Sequence, residues 1–156
     1  MKKLLVLVAV IATGVVANAS TFKWGAANVY GPDGSTKFSG SASLFCDALS
    51  SSALSVATVS SGTISNTTTE FDVTAVADTS YDFYFVITTT YDSKEVTFTS
   101  ATKAVKALDV GTANIAFGNM TTQTQASGAW AAVPEPTSGL LMLLGMAGLA
   151  LRRKRA

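Results

Sequence analysis

The sequence predicts a mainly β protein: a single antiparallel β-sandwich-like domain, flanked by an N-terminal signal peptide and a C-terminal apolar helix. Three observations carry that prediction. Between the two ends, Ser and Thr are abundant, charges are sparse, and no long stretch keeps a helical period. Several short stretches alternate apolar and polar residues and are separated by residues that favour turns. At each end, an apolar run lies beside basic residues.

In chain order, "TFKWGAANVYGPDGSTKFSGSASLF" reads as two strands around a turn at Gly31-Pro32-Asp33-Gly34. Proline presets one backbone dihedral there and glycine admits positive φ. "DALSSSALSVATVSSG" reads as either a short helix or a serine-rich loop, because serine competes for the backbone hydrogen bonds of a helix. "EFDVTAVA" alternates over Phe71, Val73 and Ala75. The clearest element is "YDFYFVITTTYDSKEVTFTSATKAV". Tyr81, Phe83, Phe85 and Ile87 fall on one face, with Asp82, Tyr84, Val86 and Thr88 on the other. Asp92-Ser93-Lys94 supplies a turn, and Val96 and Phe98 continue on a returning strand. "ANIAFG" reads as a last short strand, followed by a loose Thr/Gln/Ser stretch and a linker that begins near Ser127. Short strands between turn signals point to a sandwich.

The N-terminus has the three parts of a secretory signal: Lys2 and Lys3, the apolar run Leu4–Val16, and the small-x-small site Ala17-Asn18-Ala19. Cleavage is expected after Ala19, which leaves Ser20 as the first mature residue. The chain thus divides into a signal peptide (1–19), a β-rich exported domain (20–126), a linker with a Pro-Glu-Pro motif (127–136), and a transmembrane helix with a basic tail (137–156). Between Ser20 and Val133 there are five lysines, no arginine and nine carboxylates, a formal charge of −4, although the whole chain sums to +1. An acidic domain without arginine is a poor fit to nucleic acid or to an anionic lipid surface.

The residues that carry most enzyme chemistry are missing. The chain has no histidine and one cysteine, which removes Ser-His-Asp and Cys-His nucleophiles and the usual zinc and copper sites. No glycine-rich phosphate loop is present. Glu70 and Asp72 share one strand face, the arrangement a glycosidase-like acid pair would need, but acidic residues on a half-exposed strand are usually a solvated face. Asp78, Asp82 and Asp92 could offer oxygen ligands to calcium, yet their spacing matches no recognised loop. The expectation is therefore a non-enzymatic protein without cofactor or metal. Trp24, Tyr81, Phe83, Tyr84 and Phe85 could stack on sugar rings or fill the core. The alternation favours the core and leaves Tyr84 as the exposed candidate. Cys46, among apolar neighbours, reads as a buried small residue rather than a functional thiol. Asn66-Thr67-Thr68 and Asn119-Met120-Thr121 fit the N-glycosylation pattern, which arises readily in a Thr-rich chain.

The tail carries the strongest motif. Val133-Pro134-Glu135-Pro136 precedes the uncharged run Thr137–Leu151 and the basic stop Arg152-Arg153-Lys154-Arg155. As a helix that run reaches roughly 22 Å, short of a hydrocarbon core of roughly 30 Å. Basic residues stay cytoplasmic, so the domain lies outside. The tail resembles the PEP-CTERM sorting signal of bacteria, a kind of tail also labelled "ice-binding protein C-terminal domain"; that label describes the tail and not the domain upstream. The resemblance covers the last 24 residues. It implies handling by exosortase, a membrane-embedded processing enzyme, beside the signal peptidase that the N-terminal signal calls for. It also implies an inner-membrane precursor, held at least transiently by the C-terminal helix, that ends at the cell surface or outside the cell. Proteins with such tails are associated with extracellular polysaccharide. The function expected is that of an exported, non-enzymatic surface or matrix protein. The alternative is a carbohydrate-binding adhesion module held by a single C-terminal span.

Overall fold

The computed structural model describes residues 17–119, 121, 122 and 124–133. The proposed signal run, the Pro-Glu-Pro motif, the C-terminal helix and the basic tail lie outside the described residues. Nine strands occur among the described residues, and no helix does. They are β1 (Ala17–Ala26), β2 (Gly40–Cys46), β3 (Ser50–Val59), β4 (Glu70–Val76), β5 (Ser80–Tyr91), β6 (Lys94–Ser100), β7 (Lys103–Lys106), β8 (Thr112–Phe117) and β9 (Gly128–Ala132).

Two sheets face each other. One has the order β4-β1-β8; the other runs β3-β2-β5-β6-β9, with β7 also paired to β5. The mainly β, two-sheet prediction holds, with one topological difference. β1 pairs antiparallel with β4 but parallel with β8, Thr21 opposite Thr112 through Ala26 opposite Phe117. A period-two pattern marks which residues face inward and says nothing about strand direction.

The core forms where the inward faces of β1 and β5 meet. Phe22 and Trp24 come from one sheet and Phe83 and Phe85 from the other, all fully buried. The Phe22 and Phe83 rings lie 5.1 Å apart, Trp24 and Phe85 5.9 Å, and Phe85 meets Phe117 edge-on at 4.9 Å. Alternation puts each of these rings inside, and tilted or edge-on contacts suit their quadrupoles. Ile87 is also fully buried and Tyr81 partly so. The Tyr81 hydroxyl accepts the Val76 N–H at 2.9 Å, so the polar end of this half-buried ring is used.

Three segments depart from the sequence expectation. The serine-rich segment is neither helix nor loop: Ser50–Val59 is a strand, with Ala57 and Val59 buried. Its serines serve the packing. The indole N–H of buried Trp24 donates to Ser55 Oγ at 3.1 Å, across from the other sheet. The "two strands around a turn" are β1 and β2, but they belong to different sheets. The turn itself forms as expected. The Gly34 N–H donates to the Gly31 carbonyl at 3.0 Å, and Gly34 sits at φ 69°. The expected linker is shortened: Gly128–Ala132 forms β9 along the edge of β6, from Ala132 opposite Val96 to Gly128 opposite Ser100. "ANIAFG" is therefore β8 and not the last strand.

Between β6 and β7 the ladder on β5 slips by one residue, since Val86 faces Thr99 while Phe83 faces Lys103. Ser100 repairs the gap. Its buried hydroxyl accepts the Phe85 N–H at 2.9 Å and donates to the Ala101 carbonyl at 3.1 Å. A buried polar side chain is tolerable here because it takes over the role of the missing backbone partner.

Candidate functional site

The site with the clearest identity is the junction where the folded domain hands over to the tail. β9 is "GAWAA", and a single large side chain anchors it. Trp130 packs on Phe98 at 5.4 Å and Phe38 at 5.9 Å, and its indole N–H donates to the Tyr30 carbonyl at 3.0 Å. Gly128 lets the strand come close: a Cβ there would lie 2.3 Å from the Phe98 ring and 2.6 Å from the Thr99 carbonyl oxygen. Upstream, the Ala126 N–H donates to Ala27 at 2.9 Å and the Ala101 N–H donates to Ser127 at 2.8 Å. Downstream, the Val133 N–H donates to Glu95 at 3.0 Å. The next residue, Pro134, has no N–H to continue such a ladder. The fold thus extends to within one residue of the Pro-Glu-Pro.

The other sequence candidates are scattered. Ala17 and Ala19, the expected signal-cleavage residues, start β1, with Ala19 exposed and opposite Thr74. Glu70 and Asp72 do share an exposed face of β4, and threonines of β8 and β1 occupy them. Thr112 donates to Glu70 at 2.9 Å and Thr21 to Asp72 at 2.6 Å. Of the three aspartates considered for calcium, Asp78 pairs with Lys106 at 2.8 Å, and both side chains are well exposed. Asp82 lies on β5 and Asp92 in the turn after it. No cluster of three possible metal ligands occurs among the described residues. Cys46 is fully buried, and burial pushes its thiol above the ordinary range. Asn66 is half-buried and Asn119 exposed. The Asn119 side chain caps its own loop by accepting the N–H groups of Thr121 at 2.8 Å and Thr122 at 2.9 Å.

The aromatic row divides. Trp24, Phe83 and Phe85 are buried and Tyr81 is half-buried, so these rings belong to the core. Tyr84 lies on the outer face of β5, stacked on Phe45 of β2 with ring centres 5.6 Å apart and planes 16° apart. Its hydroxyl donates to Asp47 at 2.9 Å, and this hydrogen bond raises the phenol above its ordinary range, because ionisation would set two negative charges together. Phe45, which the sequence reading passed over, is therefore the second member of the only stacked pair on the outer face of β2 and β5 among the described residues. Its signal was available, since Phe45 alternates with Leu44 on the strand face opposite the core.

β9 is an edge strand, and in the sequence it is followed by Pro134-Glu135-Pro136, an apolar run and a basic end. Residues 132–155 match the PEP-CTERM protein-sorting motif, and the chain carries a sorting signal of the exosortase type. The match begins at Ala132, the last residue of β9, so domain and signal share a boundary. No curated protein and no solved structure matches the chain.

Proposed function

We propose that this chain is an exported, non-enzymatic protein of the cell surface or extracellular matrix, whose β domain is displayed after exosortase acts on its tail. The observation that carries this reading is the sorting motif at residues 132–155, set directly against the end of β9. In the precursor, Thr137–Leu151 crosses the inner membrane, Arg152–Arg155 hold the cytoplasmic end, and the folded domain waits outside. The absence of histidine from the chain, and the engagement of Glu70 and Asp72 by threonine hydroxyls on an open strand face, support the non-enzymatic half of the reading.

Changing Pro134-Glu135-Pro136 to three alanines tests it. Insertion depends on the apolar run and orientation on the basic stop, so neither should change. In a host that carries an exosortase, the variant should accumulate as uncleaved inner-membrane precursor while the original is processed. If both fractionate alike at full length, the tail is a plain anchor and the sorting role fails.

The second reading is adhesion to extracellular polysaccharide, and the Phe45–Tyr84 pair with Asp47 favours it. An aromatic face beside a carboxylate suits a sugar ring and its hydroxyls. Tyr84→Ala should then abolish retention of the domain on the host's polysaccharide without unfolding it. Unchanged retention would remove this reading.

A further inference from the structure

The register of β1 bears on where the N-terminal signal is cut, and this inference rests on the reading that the protein is exported. The sequence points first to the Ala19–Ser20 bond, after Ala17-Asn18-Ala19. In the folded domain that bond lies inside the central strand of the three-stranded sheet. Asn18 faces Ala75 and Ala19 faces Thr74 across the ladder. β4 is an edge strand, so Thr74 and Ala75 have no other strand beside them among the described residues. Ala75 is 2% exposed, and the next inward residue of β1, Ser20, is 3% exposed. The Ser20 hydroxyl donates to the Leu108 carbonyl at 3.3 Å. A cut after Ala19 would strip the cover from Thr74 and Ala75 and set a new ammonium on Ser20.

One residue further upstream the demand on β1 stops. Ala17 faces Val76, but Val76 is held elsewhere: its N–H donates to the Tyr81 hydroxyl at 2.9 Å and its carbonyl accepts the Thr79 N–H at 3.2 Å. The domain therefore uses Asn18 and Ala19 and can dispense with Ala17. The sequence offers a matching site. Thr13-Gly14 interrupts the apolar run, which leaves Leu4–Ala12 as the apolar region, nine residues long, and Val15-Val16-Ala17 as the approach to a small residue. That length lies inside the window of about 7–15 residues for such a region. We propose that the signal is removed by hydrolysis of the Ala17–Asn18 bond, so that the mature protein begins at Asn18. Water adds across the peptide bond, Ala17 leaves as the carboxylate end of the released signal, and Asn18 keeps the α-ammonium. Asn18 is exposed, so the new charge stays in water.

The test is N-terminal sequencing of the exported full-length protein, with the mass of the tryptic peptide that ends at Lys23. The expected peptide begins at Asn18. A peptide beginning at Ser20, or retention of Met1 on the exported protein, would overturn this proposal and leave export standing; a protein that stays in the cytoplasm with Met1 retained would overturn both. Two variants sharpen the result. Ala19→Leu puts a bulky residue before the rival bond, at an exposed strand position, and should still give a mature protein starting at Asn18. Ala17→Leu should leave precursor or a shifted cut. Precursor accumulating with Ala19→Leu, and normal processing with Ala17→Leu, would refute the assignment.

Discussion

Phe85 shows how much one inward position carries. It touches Trp24, Phe98 and Phe117, with ring centres 5.9, 5.5 and 4.9 Å away, and no part of it reaches solvent. Phe85→Ala should cost about 3–5 kcal/mol, a large share of a total stability of about 5–15 kcal/mol. Denaturant unfolding of the two proteins measures the difference, and a loss below about 1 kcal/mol would contradict the burial. Asp33 acts through its charge. The Thr36 hydroxyl and amide, followed by the Ser35 amide, all donate to its carboxylate and lower its pKa to about 2; the two amide bonds are 2.9 and 3.0 Å long. The folded value lies below the unfolded one. The contribution is therefore present above the ordinary carboxylate value and fades as the pH falls through about 2. A carboxyl-carbon NMR titration should find Asp33 still ionised at pH 3, and Asp33→Asn should flatten the acid response of the 31–36 turn. Cys46, fully buried and with its thiol raised by burial, should resist thiol reagents until the protein unfolds.

At the scale of elements, the turn between β5 and β6 carries a local cost. Tyr91 faces Lys94, so only Asp92 and Ser93 form the loop, at φ 49° and 62°. A two-residue hairpin of type I′ takes positive φ at both positions, a region that costs any residue with a Cβ. Ser93→Gly should therefore stabilise the protein by roughly 0.5–1 kcal/mol, read from the midpoint of thermal unfolding. This hairpin was legible in the sequence because its flanks alternate with large residues: Phe83, Phe85 and Ile87 leave no doubt about which face is buried. β4 was legible for the same reason. β3 was not, because its inward residues Ser55 and Ala57 are small and one is polar, so period two leaves no trace in hydropathy. The parallel pairing of β1 with β8 joins residues some 90 positions apart and has no local signature. The sorting motif lay open to reading because it is a linear pattern of proline, charge and apolar length. Its attachment to β9 did not, since "GAWAA" has the composition of a linker and only Trp130, placed in three dimensions against Phe38, Phe98 and Tyr30, makes it a strand. Gly128→Ala tests that strand directly. The added methyl meets Phe98 and Thr99, and it should destabilise by about 1–3 kcal/mol as overpacking does.

For the molecule as a whole, the position of β9 determines what can be cut away from the domain without loss. If residues 127–136 were a true linker, a chain ending at Ser127 would be as stable as one ending at Val133. The fold requires otherwise. Ending at Ser127 removes the indole that covers Phe98 and Phe38, the indole hydrogen bond to Tyr30, and the five ladder positions from Gly128 to Ala132. It also opens β6 as a new sheet edge, with unpaired backbone groups that invite association. The loss should exceed about 3 kcal/mol from the tryptophan alone. A chain ending at Val133 keeps every one of these contacts and loses only residues beyond the last hydrogen bond to Glu95. Its unfolding midpoint should equal that of the longer protein in detergent. The comparison decides whether a cut near Pro134-Glu135-Pro136 releases a complete domain. Equal stability at Val133 and a collapse at Ser127 would mean that the sorting motif begins where folding ends, so the enzyme that reads it has no slack chain to draw on and must work with the β domain close above the membrane. Equal stability at both ends would return residues 128–132 to the tail.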